Sequence, residues 1–181
     1  MKRALFYSWL LVAISTFTVC KPDDADLKNK IVYKGPIAET RNISTLYSDS
    51  AKLQIKLNSP LQLQYESGDG VYPKGIDLVF FDKAGKVNNT VRANYGKYDK
   101  QKDAYFIRGN VVVNNPVKGE TLRTEELHWD KRTRKIFTDK FVIIETKDEV
   151  LKGHGMTANQ DFSHWKITKP TGIITLKTQW S

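Results

Sequence analysis

The 181-residue chain has one cysteine and three histidines, and each shortage closes off a kind of chemistry. With Cys20 alone there is no disulfide framework, no cysteine metal site and, past the N-terminal segment, no thiolate nucleophile. His128, His154 and His164 fit no metal-ligand spacing, and His128-Trp129 and His164-Trp165 read as sheet positions. The chain contains no Gly-Lys-Ser/Thr phosphate loop and no Gly-x-Ser-x-Gly nucleophile elbow. Gly68-Asp69-Gly70 and Gly153-His154-Gly155 read as turn or bulge glycines rather than phosphate cradles. Acidic residues gather at turn tips, too exposed for acid–base work. The tightest pair, Glu125-Glu126, is expected to point to opposite faces of a strand, where it cannot share a proton. No catalytic residue, metal ligand or cofactor site emerges, and the chain is read as a non-enzyme.

Charge is plentiful but of one prevailing sign. The formal net charge is +9, and of the 29 basic residues only Lys2 and Arg3 precede Cys20. A basic body favours anionic partners: nucleic acid, a membrane surface or a phosphorylated ligand. Aromatic residues alternate with aliphatic ones inside strand-like runs and are not interleaved with arginines, which is unlike a base-stacking platform. Nucleic acid is therefore not expected as a partner.

The N-terminus points to export. Met1-Lys2-Arg3 precedes a charge-free run of 16 residues, Ala4 to Val19, and then Cys20-Lys21-Pro22-Asp23-Asp24. Basic, apolar and polar in that order is the pattern of a secretory signal. As a helix the run spans about 24 Å at ~1.5 Å per residue, short of a hydrocarbon core of about 30 Å. Cys20 closes the apolar run as in a bacterial lipoprotein signal, although Phe17-Thr18-Val19 lacks the small residue such signals favour. Two attachments are open: a lipid on Cys20, or an uncleaved anchor helix over residues 1–20. Either leaves the body outside the cytoplasm.

Residues 21–45 are polar and mixed and are expected to form a tether leading into the first strand. Beyond them the apolar period is two, as in β-strands. Leu53, Ile55 and Leu57 alternate with Lys52, Gln54 and Lys56; Leu61, Leu63 and Tyr65 with Gln62 and Gln64. Ile76, Leu78 and Phe80 form another set, and Tyr105, Ile107, Val111 and Val113 share one face. Turn clusters such as Asn58-Ser59-Pro60, Asp82-Lys83-Ala84-Gly85 and Asn114-Asn115-Pro116 separate the runs. The chain also repeats at an offset of 31 residues. Tyr98-Asp99-Lys100 falls on Trp129-Asp130-Lys131, Phe106 on Phe137, and Val111-Val112-Val113 on Val142-Ile143-Ile144. A single hairpin cannot bury its apolar face. The expected fold is all-β, with two facing antiparallel sheets of stacked hairpins in a domain over 46–176, followed by a tail over 177–181.

The order of these pieces resembles the LptC family, within the LptA/OstA-like β-jellyroll group, from Leu46 to about Ile174. The resemblance rests on Leu78-Val79-Phe80-Phe81-Asp82-Lys83-Ala84-Gly85 and Val91-Arg92-Ala93-Asn94-Tyr95-Gly96-Lys97-Tyr98. It continues through Ile107-Arg108-Gly109-Asn110-Val111-Val112-Val113, Gly119 to Leu127, Phe137-Thr138-Asp139 and Gly153-His154-Gly155-Met156. It implies a protein on the periplasmic face of the inner membrane. Such a protein receives lipopolysaccharide from an ABC transporter complex and passes it to an LptA-like bridge. The expected lipid-facing residues are Leu53, Ile55, Leu63, Ile76, Leu78, Phe80, Tyr105, Ile107, Val111, Val113, Val142 and Ile144. Each is equally at home in an ordinary core; as a set they supply more apolar surface than a thin two-sheet stack otherwise uses. An LptA-like soluble bridge, or a scaffold lipoprotein that binds protein through its sheet edges, is the alternative.

Overall fold

Alternation of apolar and polar residues becomes strand after strand. The computed structural model describes residues 33–172. In it eleven strands follow one another: β1 (Ala38–Asp49), β2 (Lys52–Gln64), β3 (Gly70–Tyr72), β4 (Ile76–Phe81), β5 (Val87–Ala93) and β6 (Tyr95–Asp99). Next come β7 (Ala104–Asn115), β8 (Glu120–Asp130), β9 (Lys135–Glu145), β10 (Val150–Asn159) and β11 (Trp165–Thr171). The all-β jellyroll expected from the sequence is what forms. Cys20, the apolar run and the tail lie outside the described residues.

The two facing layers are halves of one antiparallel sheet that folds over on itself. Strand β7 shows how. Its first half, Ala104–Arg108, pairs with β6, and its second half, Val112–Asn114, pairs with β5. On its other side β7 pairs with β8 along both halves. Strand β2 divides in the same way, pairing with β4 at Ile55–Asn58 and with β3 at Leu63–Gln64. The bend falls at a column of irregular positions. Gly109 and Asn110, at φ 79° and 49°, stand opposite the single residue Glu125. Gly155, at φ 75°, stands opposite Asp139 and Lys140. Such two-against-one bulges kink a strand and raise its twist. Only glycine takes φ near +80° without a steric penalty. A Cβ on Gly109 would also lie 3.1 Å from the Asn94 Cβ.

Short hydroxyl side chains are buried along this vertex. Ser59 Oγ donates to the Gly75 carbonyl at 2.7 Å, and Thr124 Oγ1 to the Phe141 carbonyl at 2.9 Å. The Asn94 amide, at the break between β5 and β6, donates to the Gly109 carbonyl at 2.9 Å. Backbone groups that the kink takes out of the ladder thus find partners, as buried polar groups must.

Two expectations need correction. Strand β1 already begins at Ala38, inside the segment expected as tether. Its first five residues are exposed, so no apolar alternation announces them; they are held by backbone pairing to Leu61–Gln64. Glu125 and Glu126 do not lie on opposite faces of a regular strand. The alternation slips at the β8 bulge, so that Thr124 and Leu127 on either side are both buried, and Glu126 forms an ion pair with Lys140 at 3.5 Å.

Candidate functional site

The inner faces of the two halves form a flat apolar slot, bounded by the vertex on one side and by a mouth on the other. From one half come Ile55, Leu57, Leu78, Phe80, Val91, Val113 and Ile144; from the other Tyr72, Tyr105, Leu127, Trp129, Ile136 and Ala158, all less than a tenth exposed. Val111 and Val142, both fully buried, lie beside the vertex. Ten of the twelve expected lipid-facing residues therefore lie together in this interior: Ile55, Ile76, Leu78, Phe80, Tyr105, Ile107, Val111, Val113, Val142 and Ile144. The other two, Leu53 and Leu63, are half-buried toward the ends of β2. Leu53 lines a shallow surface hollow of about 290 Å³ beside the β4–β5 turn, outside the slot.

The slot is packed. The gap among Phe80, Tyr105, Trp129 and their neighbours is about 10 Å³, and a second gap, among Asn89, Val113, Ile144 and Phe162, is about 20 Å³. A single water needs roughly 10–15 Å³. An acyl chain therefore fits only if the halves separate or a side chain that fills the slot withdraws.

Ring contacts and single hydrogen bonds close the mouth. Phe80 from one half meets Trp129 from the other edge-on, with ring centroids 5.6 Å apart. Trp129 stacks on Tyr105 at 5.3 Å, and Tyr105 tilts against Tyr98 at 4.8 Å. The Tyr47 and Tyr105 hydroxyls are 2.9 Å apart across the mouth. At the outer end of this row Tyr98 Oη donates to Asp103 Oδ1 at 2.8 Å, and Lys131 Nζ approaches the same oxygen at 3.0 Å. Lys131 also sits over the Tyr47 and Tyr98 rings at 5.8 and 5.7 Å. Burial pushes the Tyr72 hydroxyl up to about 12, and burial together with the Asp103 carboxylate does the same to Tyr98. Tyr105 is raised further still, by burial first and then by its neighbouring tyrosines. Burial works against a charged Asp103, but hydrogen bonds from Lys131 and Tyr98 outweigh it and hold the carboxyl below its usual value. A cation held at the rim of an apolar slot suits a ligand with a greasy body and an anionic head.

The family described as lipopolysaccharide-assembly, LptC-related, matches residues 3–170. The chain belongs to the LptC family. LptC proteins are components of lipopolysaccharide transport, associated with the periplasmic side of the inner membrane, and this chain shares that general role. No curated protein matches the chain significantly. Among the described residues no helix is long and apolar enough to cross a membrane. No group of three or more His, Cys, Asp or Glu among them is placed to hold a metal ion.

Sequence reasoning left Trp129, Ile136 and Phe162 out of the slot. The repeat held the signal for the first two, since Trp129 falls on Tyr98 and Ile136 on Tyr105 at the same offset. Phe162 had none. It sits in the β10–β11 turn at φ 53°, outside any alternation, yet is 4% exposed.

Proposed function

We propose that this LptC-family chain takes lipopolysaccharide from the inner-membrane ABC transporter complex, shelters its acyl chains between the two sheet halves and passes it to an LptA-like bridge. The observation that carries this reading is the slot itself: a continuous apolar interior held shut at the mouth by ring contacts and single hydrogen bonds. Each methylene removed from water contributes about 0.8 kcal/mol, so a lipid with several acyl chains needs such shelter to cross an aqueous compartment. Lys131 and the Lys100 and Lys102 turn beside it lie where lipid phosphates would remain in water. Strands β1 and β11 each pair on one side only among the described residues. Unpaired edges accept a further strand, so a neighbouring jellyroll docked there would continue the slot. The twelve candidate residues act as the acyl-facing wall in this reading, with Leu53 and Leu63 at its margins. Attachment is through a lipid on Cys20 or an N-terminal anchor helix, and mass measurement of the membrane-extracted protein separates the two.

The test is saturable binding of labelled lipopolysaccharide by the full chain in phospholipid nanodiscs, with unlabelled lipid as competitor. Val111→Arg, checked by circular dichroism to retain its β-sheet, is expected to weaken binding at least tenfold, because it places a charge in the fully buried wall beside the vertex. Undiminished binding by that folded variant removes the slot as the site. Absence of binding by the natural chain shifts the assignment to a scaffold acting through its sheet edges.

A further inference from the structure

The turn between β10 and β11, residues 160–164, spans the mouth and is bonded to both halves. On one half, Asn89 Nδ2 donates to the Asp161 carbonyl at 2.7 Å, and Lys118 Nζ to the Ser163 carbonyl at 2.8 Å. On the other, Trp129 Nε1 donates to Gln160 Oε1 at 3.2 Å, and the Gln160 amide to the Arg134 carbonyl at 3.0 Å. The turn is also tied within itself. The Phe162 amide donates to the Asn159 carbonyl at 2.9 Å and the Ser163 amide to Asp161 Oδ1 at 3.0 Å, so it can move as a unit. Phe162 projects from it into the slot, against the second small cavity.

Two features make this closed arrangement costly to hold. Phe162 takes a positive φ of 53°, which is unfavourable for a residue with a Cβ. Asn89 is fully buried, and its Oδ1 has no hydrogen-bond partner. An unsatisfied buried acceptor is itself destabilising. Withdrawal of the turn relieves both at once, by freeing the backbone of Phe162 and opening Asn89 to water or to a ligand.

We propose that the β10–β11 turn is a displaceable strap across the slot, and that Phe162 occupies the seat of an acyl chain, which replaces it when lipid enters. The proposal rests on the slot reading above and adds its gate and one of its subsites. Ingress is then limited by release of the strap rather than by separation of the halves at the vertex.

The experiment follows uptake of a fluorescent dodecanoyl probe, and of labelled lipopolysaccharide, by the full chain in stopped flow. Phe162→Ala is expected to speed association of both ligands at least fivefold. Met156→Ala, which opens a cavity of similar kind near the vertex on the same strand pair, is expected to lower stability without speeding association. A paired Asn89→Cys and Asp161→Cys variant, with each single change as control for pairing with Cys20, is expected to take up ligand at least tenfold more slowly when oxidised, and to recover on reduction. Equal association rates for Phe162→Ala and the natural chain, or an equal gain from Met156→Ala, overturn the strap while leaving the slot standing. Failure of the natural chain to take up either ligand overturns the slot and the strap with it.

Discussion

The vertex and the mouth of the slot are closed by different means. The vertex is backbone: bulged strands, glycines at positive φ, and amide and hydroxyl donors aimed at carbonyls, such as Asn94 to Gly109 and Ser59 to Gly75. The mouth is side chain: Phe80 on Trp129, Tyr47 on Tyr105, and the bonds that hold the 160–164 turn. Breaking the vertex disrupts the ladders of several strands together. Opening the mouth exchanges ring contacts and single hydrogen bonds for others, which a lipid or water can supply. A folded sheet of this kind is tied at its vertex by many backbone bonds and at the opposite edge by a few separable contacts.

The contrast can be strained from either side. The largest effect is expected from Trp129→Ala, which removes the ring joining Phe80, Tyr105 and Gln160; loss of a buried tryptophan costs about 3–5 kcal/mol. Denaturant unfolding should register that loss, while hydrogen exchange of the Asn94 amide at the vertex keeps its rank among the slow amides. Fast exchange of Asn94 in that variant would mean that mouth and vertex open together. Gly109→Val attacks the other side. A β-branched residue at φ 79° costs about 1–2 kcal/mol, and its Cβ presses on Asn94. Exchange of the Asn94 amide is expected to accelerate while the fluorescence of Trp129 changes little.

The smallest effect is a dependence on alkaline pH. Tyr72 and Tyr98 are raised to about 12, and Tyr105 is raised more. A hydroxyl that holds its proton more tightly in the folded chain than in the unfolded one lends stability at pH below 10. That stability drains away as pH rises toward 12. The melting temperature should therefore fall across that interval. Tyr105→Phe, at a cost of about 1 kcal/mol for its hydrogen bond, should make the fall shallower. An unchanged slope would place the tyrosine hydroxyls outside the alkaline transition.

Most of the slot wall was legible because a strand with one buried face writes that face every second residue. Ile76, Leu78 and Phe80, or Tyr105 and Ile107, need no three-dimensional knowledge to be placed together. What escaped did so for physical reasons. Leu53 and Leu63 continue the same alternation toward strand ends that are only half covered, and period two carries no information about where cover stops. The fold of one sheet into two halves depends on bulges, which slip the alternation at Glu125-Glu126 and leave as outward signs only Gly109-Asn110 and the Gly153-His154-Gly155 stretch, read as turn or bulge glycines. The first half of β1 is polar on both faces. Phe162 acts through a turn, where position is set by hydrogen bonds to distant residues rather than by a local period.

The repeat of 31 residues maps β7 onto β9 and the broken β5–β6 strand onto β8, so one copy corresponds to two neighbouring strands. Adjacent strands are about 4.8 Å apart, which makes each copy worth roughly 10 Å of slot. Capacity is therefore a digital property of the gene. Duplicating or deleting a whole unit lengthens or shortens the slot by a fixed step with every inward residue still inward. An insertion of one residue within a strand turns part of the wall inside out.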